Sequence, residues 1–278
     1  MSKLISEMFS HHKKPSPENL DEVVKEIKTL QQVDLKSQGY YDRLQRASSW
    51  LAKAKRTSID SEGRFIFLWI ALNALYGVRE DVRDSPWWKG EEKSRPILNK
   101  RDSGDKNPGE LEWFLWRVCG LDLGQGILKR VIEAHQDDIK ILLQTEYLMP
   151  SYWSWKWRTK EDIDGWKKSS SVAVKRVISS SGNREATYRA LVEILAWRLR
   201  TLRNQLFHGS ATDVRSKRRA AGESELEAGS RLLEELNWAF LRLVASESGR
   251  ARYWPPCRYP RAGSAQHQPF DASWVPTK

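Results

Sequence analysis

The stretch GRFIFLWIALNALYG, residues 63–77, constrains this chain more than any other. Its eight consecutive apolar residues, 65–72, fall well short of the roughly 20 that a membrane-spanning helix needs. Phe65, Leu68, Trp69, Leu72 and Leu75 follow helical spacing, yet the other faces are apolar too, so this helix has almost no side to offer water. Asp60 is placed to cap its start and Gly77 to end it. A helix apolar nearly all round must be enclosed, and the surrounding sequence supplies helices to enclose it. An all-α architecture is expected.

Upstream, residues 19–33 place Leu20, Val23, Val24, Ile27 and Leu30 on one face, and residues 40–55 repeat the pattern with Tyr40, Leu44, Ala47 and Leu51. Periodicity then fails over 78–108, where Asp, Ser, Gly, Pro and Lys surround the pair Trp87-Trp88, and a long loop or insertion is expected. Helical spacing returns over 109–118 and again over 125–147, the second read as one helix. Within 150–182, Trp153, Trp155 and Trp157 alternate with Lys156 and Arg158, and a Ser-rich stretch follows; that period of two predicts an extended segment or short strand. One helix of about seven turns is expected over 183–207, and a last one over 224–244. The residues beyond Ser248, rich in Pro, Arg and Gly, have no period, and no repeat of 20–50 residues points to a solenoid.

Composition narrows the function classes. Two cysteines, Cys119 and Cys257, with no CxxC pair and no histidine cluster argue against a cysteine-based zinc site, an iron-sulfur cluster or a disulfide framework. The first twenty residues hold no apolar stretch of signal-peptide length, so a reducing, cytoplasmic location without membrane contact is expected. No phosphate-binding loop, nucleophile elbow, HExxH or dinucleotide fingerprint occurs. Forty-seven basic against 36 acidic residues leave a net charge of +11, which favours a polyanionic partner.

The richest segment is LVEILAWRLRTLRNQLFHG, residues 191–209. On a helical wheel Leu191, Leu195, Leu199, Leu202 and Leu206 form one core stripe, while Arg200, Arg203, Asn204 and His208 share the arc facing away from it with Trp197 and Phe207. Large aromatics on that arc predict a cover, from a neighbouring segment or a second subunit. The set suits phosphodiester chemistry. A histidine titrating near neutrality exchanges protons with a ribose hydroxyl or a leaving oxygen, and an arginine fork holds a phosphate whose charge grows in the transition state. Asn204, one turn below His208, is placed to orient the ring or a phosphate oxygen. Arg203 and His208 lie about 140° apart on an ideal wheel, so two such helices facing each other present them to one phosphate better than one does.

The hexamer Arg203-Asn204-Gln205-Leu206-Phe207-His208 resembles the Arg-polar-x-His motif, with three to five intervening residues, of the HEPN superfamily, and Gly209 follows the histidine as it often does there. The helix at 63–77, with Asn73 inside an apolar run, is similar to the first core helix of the Apea-like HEPN branch. The resemblance covers residues near 38–78 and 184–246. It implies a four- to five-helix bundle that dimerises through the motif helix and acts as a metal-independent endoribonuclease, as a toxin or antiviral-defence effector. Arg203 and His208 would be the catalytic pair and Asn204 the polar second residue, with no cofactor or metal. Product ends would be a 2′,3′-cyclic phosphate and a 5′-hydroxyl. The implied organisation is an N-terminal helical extension over 1–37, a HEPN-like domain over 38–248 with a Trp-rich insertion near 78–182, and a basic tail over 249–278. RNA, a second copy of the chain, and an antitoxin or regulatory protein are the implied partners. Ser210 stands where one toxin subgroup carries a tyrosine modified by a nucleotidyltransferase antitoxin, so that regulation is not implied.

Plainer readings compete. Arg203 and His208 also suit a basic helix end, favoured by the helix dipole. Arg215, Lys217, Arg218 and Arg219 would guide RNA toward His208 or line a solvated loop. The tryptophan stripe would stack on unpaired bases or form half of a buried strand. His135 with Asp138 has metal-ligand spacing but reads better as a solvated helix face. In function, the alternatives to the nuclease are an inactive HEPN module that binds RNA or a protein partner, and a DNA-binding regulator, for which no helix-turn-helix pair is evident.

Overall fold

The computed structural model describes residues 17–33, 38–56, 60–76, 110–122, 124, 126–149, 160–179, 183–207 and 222–245. These form helices α1 (Pro17–Val33), α2 (Gln38–Ala54), α3 (Ser61–Tyr76), α4 (Glu110–Leu121), α5 (Ile127–Ala134), α6 (Gln136–Gln144), a 3₁₀ turn (Glu146–Leu148), and α7 (Lys160–Ile178). Next comes a continuous rod made of α8 (Arg184–Leu191), a π-helical segment (Val192–Leu199) and α9 (Arg200–Phe207), and then α10 (Glu223–Ala245). No strand occurs among the described residues, so the chain is an all-α bundle. None of its described helices is long and apolar enough to cross a membrane.

Helix α3 is enclosed as its composition requires: no residue of it is exposed, and Phe65, Leu68, Trp69, Ala71, Leu72 and Leu75 are buried. The Asp60 carboxylate caps it, accepting from the Gly63 amide at 2.6 Å. Helix α10 packs against α2, α3, α4, α5 and α6 and so ties the bundle together. Polar bonds fix its register on α3. Asn237 donates its side-chain amide to the Leu68 carbonyl at 2.9 Å, and the Glu234 carboxylate receives Arg64 at 2.6 Å and Lys55 at 3.4 Å. Gly229 permits the close approach. A Cβ there would sit 3.1–3.2 Å from side-chain atoms of Leu199, Leu202 and Phe65. Gly229→Val should therefore cost roughly 1–3 kcal/mol by overpacking, read as a lower urea midpoint; an unchanged midpoint would show that the crossing has slack.

The described part of 78–182 joins this same core through Leu111, Phe114, Leu115, Leu128, Ile132, Ile139 and Leu142. The loop expected over 78–108, the alternating tryptophans at 153, 155 and 157, and the tail over 249–278 lie outside the described residues.

Three expectations need correction. The segment 160–178 is helical rather than extended. Its inward face is built from Ser170, Ala173 and Val177, residues too small to give an apolar signal strong enough to outweigh the tryptophan alternation before it. The single helix expected over 125–147 is broken at His135, where the backbone turns to φ −112° and ψ 28°. Asp137 and Asp138 lie in the first turn of the new helix, where its dipole favours acids. Upstream of it, the buried Asp122 carboxylate accepts the Ile127 and Leu128 amides at 2.8 and 3.0 Å and so starts α5 across a turn in which Gly126 takes φ 62°. Finally, the rod over 184–207 is not uniformly α-helical, since its middle eight residues wind as a π-helix.

Candidate functional site

The π segment is buried almost all round. Val192, Ile194, Leu195 and Leu199 are fully enclosed, together with the ion pair of Glu193 and Arg198. Two guanidinium nitrogens of Arg198 donate to one Glu193 oxygen at 3.0 and 3.2 Å. These residues are five apart. In an α-helix that spacing separates side chains widely, whereas i→i+5 winding stacks them one above the other. The π winding and the buried pair therefore support each other, and together they set the rotation at which α9 leaves the core.

Helix α9 divides the motif between two faces. Leu202 and Leu206 continue the predicted stripe inward, and the other three leucines of that stripe are buried as well. Gln205 is also internal, donating its side-chain amide to the Tyr147 carbonyl at 2.6 Å and so fastening α9 to the 3₁₀ turn. Arg203, Asn204 and Phe207 face outward. Arg203 donates to the Asn204 side-chain oxygen at 2.9 Å, and its guanidinium lies 4.3 Å over the Phe207 ring, which remains 53% exposed. The buried Nε of Arg203 has no acceptor among the described residues. Arg200 is exposed one turn earlier. Trp197, the other aromatic for which a cover was expected, is half-buried against the core.

One residue that the sequence reading did not single out belongs here. Tyr76, the last residue of α3, is half-buried with its ring centroid 6.3 Å from that of Phe114, and α3 packs against α9. Burial raises the pKa of its phenol; the positive charges of Arg200 and then Arg203 act against this without reversing it. Tyr76 is therefore a neutral hydroxyl near neutral pH, within the electrostatic reach of both arginines. Its sequence signal was faint, a polar aromatic at the end of an apolar helix.

The structure thus brings Arg200, Arg203 and Asn204 to one face of α9. His208, the other half of the predicted catalytic pair, lies outside the described residues, as do Arg215, Lys217, Arg218 and Arg219.

Other candidates resolve into structural roles. His135 and Asp138 do not form the solvated face expected. Asp138 is 9% exposed and accepts His135 Nδ1 at 2.8 Å and Arg231 of α10 at 2.6 Å. Burial would raise its carboxyl pKa, but the Arg231 and His135 hydrogen bonds outweigh it and hold the group below the usual carboxylate range. Its stabilising effect is then complete above the unfolded value, about 3.9, and is lost as pH falls through the lower folded value. Asp138→Asn should cost about 1.5–3 kcal/mol near neutrality, with the deficit shrinking below about pH 4. Urea titrations at both pH values test this, and an equal deficit at both would contradict it. Cys119 is buried, and burial followed by the Asp122 charge pushes its thiol pKa up, which removes it as a nucleophile. Among the described residues, no three His, Cys, Asp or Glu side chains gather as metal ligands would.

Compared with protein-family models, with curated proteins and with solved structures, the chain matches none.

Proposed function

We propose that this protein is a HEPN-type, metal-independent endoribonuclease acting as a toxin or antiviral-defence effector, with His208 and Arg203 as its catalytic pair. The observation that carries the reading is the outward face of α9. Arg203 and Asn204 stand together there, Arg200 is one turn away, and the next residue after the helix is His208.

In the proposed reaction the 2′-oxygen of a ribose attacks the adjacent phosphorus while the P–O5′ bond breaks. The 2′-hydroxyl proton leaves to a base, and the departing 5′-oxygen gains a proton; His208 serves one of these transfers. The products are a 2′,3′-cyclic phosphate and a 5′-hydroxyl. Arg203 neutralises charge growing on the non-bridging oxygens, and Asn204 orients the guanidinium through the bond between them. The proposed homodimer sets motif helices face to face, so that one copy supplies what a single helix presents at too wide an angle. Arg215, Lys217, Arg218 and Arg219 are the proposed RNA-guiding cations.

The test is degradation of RNA by the purified protein in excess chelator, with end-group analysis, against the Arg203→Ala, His208→Ala double variant. Cyclic phosphate ends made by the wild type alone are expected. Cleavage only with added Mg²⁺, or equal cleavage by the double variant, refutes the mechanism.

A second reading is a non-catalytic HEPN-type module that binds RNA or a protein partner. The exposed Phe207 ring, already stacked with Arg203, favours it, because such a surface also suits an interface. Binding to RNA without cleavage would select this reading.

A further inference from the structure

We infer that the outward face of α7 is a second contact surface for the substrate, on which Lys168, Lys175 and Arg176 hold the phosphate backbone of the RNA away from the point of cleavage; this deepens the nuclease reading and rests on it for the identity of the ligand as RNA.

The carrying observation is positive charge left uncompensated on one helix. Lys167, Lys168, Lys175 and Arg176 are all exposed, and no ion pair of any of them is found among the described residues. No acid occurs from Gly165 to Arg184 that could provide one from the same stretch. Elsewhere the protein pairs cations with acids one turn away: Lys129 with Glu133 on α5, Lys140 with Asp137 on α6, Arg189 with Glu185 on α8 and Arg231 with Glu227 on α10. The helix dipole accounts for Lys175 and Arg176, which lie in the last turn of α7, but not for Lys167 and Lys168 near its middle. Unpaired cations on one face call for a polyanion.

Position on the helix makes these charges a track. Ala173 and Val177 are buried, and on a helical wheel Lys168 and Lys175 lie opposite them, about 10.5 Å apart along the axis. Ser169, Ser171 and Ser179 are exposed too, and the hydroxyls of Ser171 and Ser179 donate to the Lys167 and Lys175 carbonyls at 3.0 and 2.6 Å. The long polar groups that stand off the helix from Gly165 to Ser179 are therefore the cations. Flexible cationic side chains suit a repeating phosphate and read no base. An anionic membrane fits less well, because it needs a wide apolar face turned outward. Helix α7 turns its apolar side chains inward, and Val172 is the one large hydrophobic side chain it exposes among the described residues. The face also has a fixed relation to the motif helix. Ser170 of α7 donates to the Met149 sulfur at 3.7 Å, and Gln205 of α9 holds the Tyr147 carbonyl, so the same short 3₁₀ turn and its end fasten both helices.

The experiment compares wild type with two double variants. Lys168→Gln, Lys175→Gln removes two unpaired charges from α7, and the control Lys129→Gln, Lys140→Gln removes two paired charges from α5 and α6. Glutamine is as good a helix former as lysine, so all three proteins should share one thermal midpoint. The binding probe is a 2′-O-methyl oligoribonucleotide, which lacks the attacking hydroxyl, followed by fluorescence anisotropy over a salt series. The α7 variant should bind about five- to tenfold more weakly, the scale of two exposed charge contacts. Its log-log salt slope should be smaller by about 1.4, or about 0.7 for each phosphate contact to a single strand, and the loss should be the same for probes of different sequence. On cleavable RNA it should raise KM and leave kcat unchanged, whereas the control should match wild type throughout. An α7 variant that binds as wild type does, or equal losses in both double variants, overturns the inference, and the nuclease reading then stands if wild type cleaves. An α7 variant that loses binding to phosphatidylserine vesicles while keeping RNA affinity overturns it in favour of a membrane. RNA binding weakened in the α7 variant alone, in a protein that never cleaves, keeps the surface and removes the nuclease reading. Wild-type protein that does not bind the probe overturns the inference outright.

Discussion

Arg198→Met is expected to destabilise the protein by about 3–5 kcal/mol, the loss typical of removing one partner from a buried ion pair. The side chains of Arg198 and Glu193 are only 2% and 8% exposed. With methionine at 198, the Glu193 carboxylate stays in the core without the guanidinium that now donates to it twice. The double variant Glu193→Met, Arg198→Met should recover most of the loss, because an apolar pair of similar volume avoids desolvating two charges. Urea unfolding of the three proteins measures this. A single variant as stable as wild type would mean that the pair does not hold the π segment. The consequence reaches the site, because relaxation of 192–199 to α-helical winding would turn Arg203 and Asn204 about the rod axis relative to the core.

The other large effect concerns catalysis. Under the proposed mechanism His208→Ala should lower kcat by about 10²–10⁴-fold, the range for losing a positioned acid or base. Arg203→Ala should lower it by about 10²–10³-fold, as for removal of a ligand to transition-state charge. Arg203→Lys should restore little, because a point charge cannot bond a phosphate, bond Asn204 and lie over Phe207 at once. The two losses should not add, since both residues serve one step. Single-turnover cleavage with a defined oligoribonucleotide separates these effects from binding. If both single variants cleave as fast as wild type, the chemistry lies elsewhere.

Much of the helical framework was legible before any coordinates. The capped α3, the ends of α1, α2 and α10, and the five-leucine stripe of 191–206 were all read from spacing, because burial of one face leaves a local periodic trace. What failed was also local in origin. Helix α7 turns small residues inward and so carries a weak periodic signal, while the tryptophans just before it suggested a strand. The break at His135 leaves only two acids in sequence as its mark. For the site, the outward positions of Arg200, Arg203 and Asn204 were legible on the wheel, but Tyr76 was not. It lies more than a hundred residues upstream of Arg200, and no spacing rule links two helices that distant.

The sequence by itself determined that the chain is helical, which faces of most helices are apolar, and that Arg200, Arg203 and Asn204 lie off the buried leucine stripe. Those properties follow from the repeat of side chains along a helix, and they survive in any packing that buries the stripe. Only the tertiary structure decided that 192–199 winds as a π-helix, that Asp138 is tied to Arg231, and that Tyr76 packs on Phe114. Each depends on groups brought together by chain segments far apart, or on a buried charge finding its partner. On an α-helical wheel, Glu193 and Arg198 look like two misplaced charges in a core, and the changed winding is what makes them a pair.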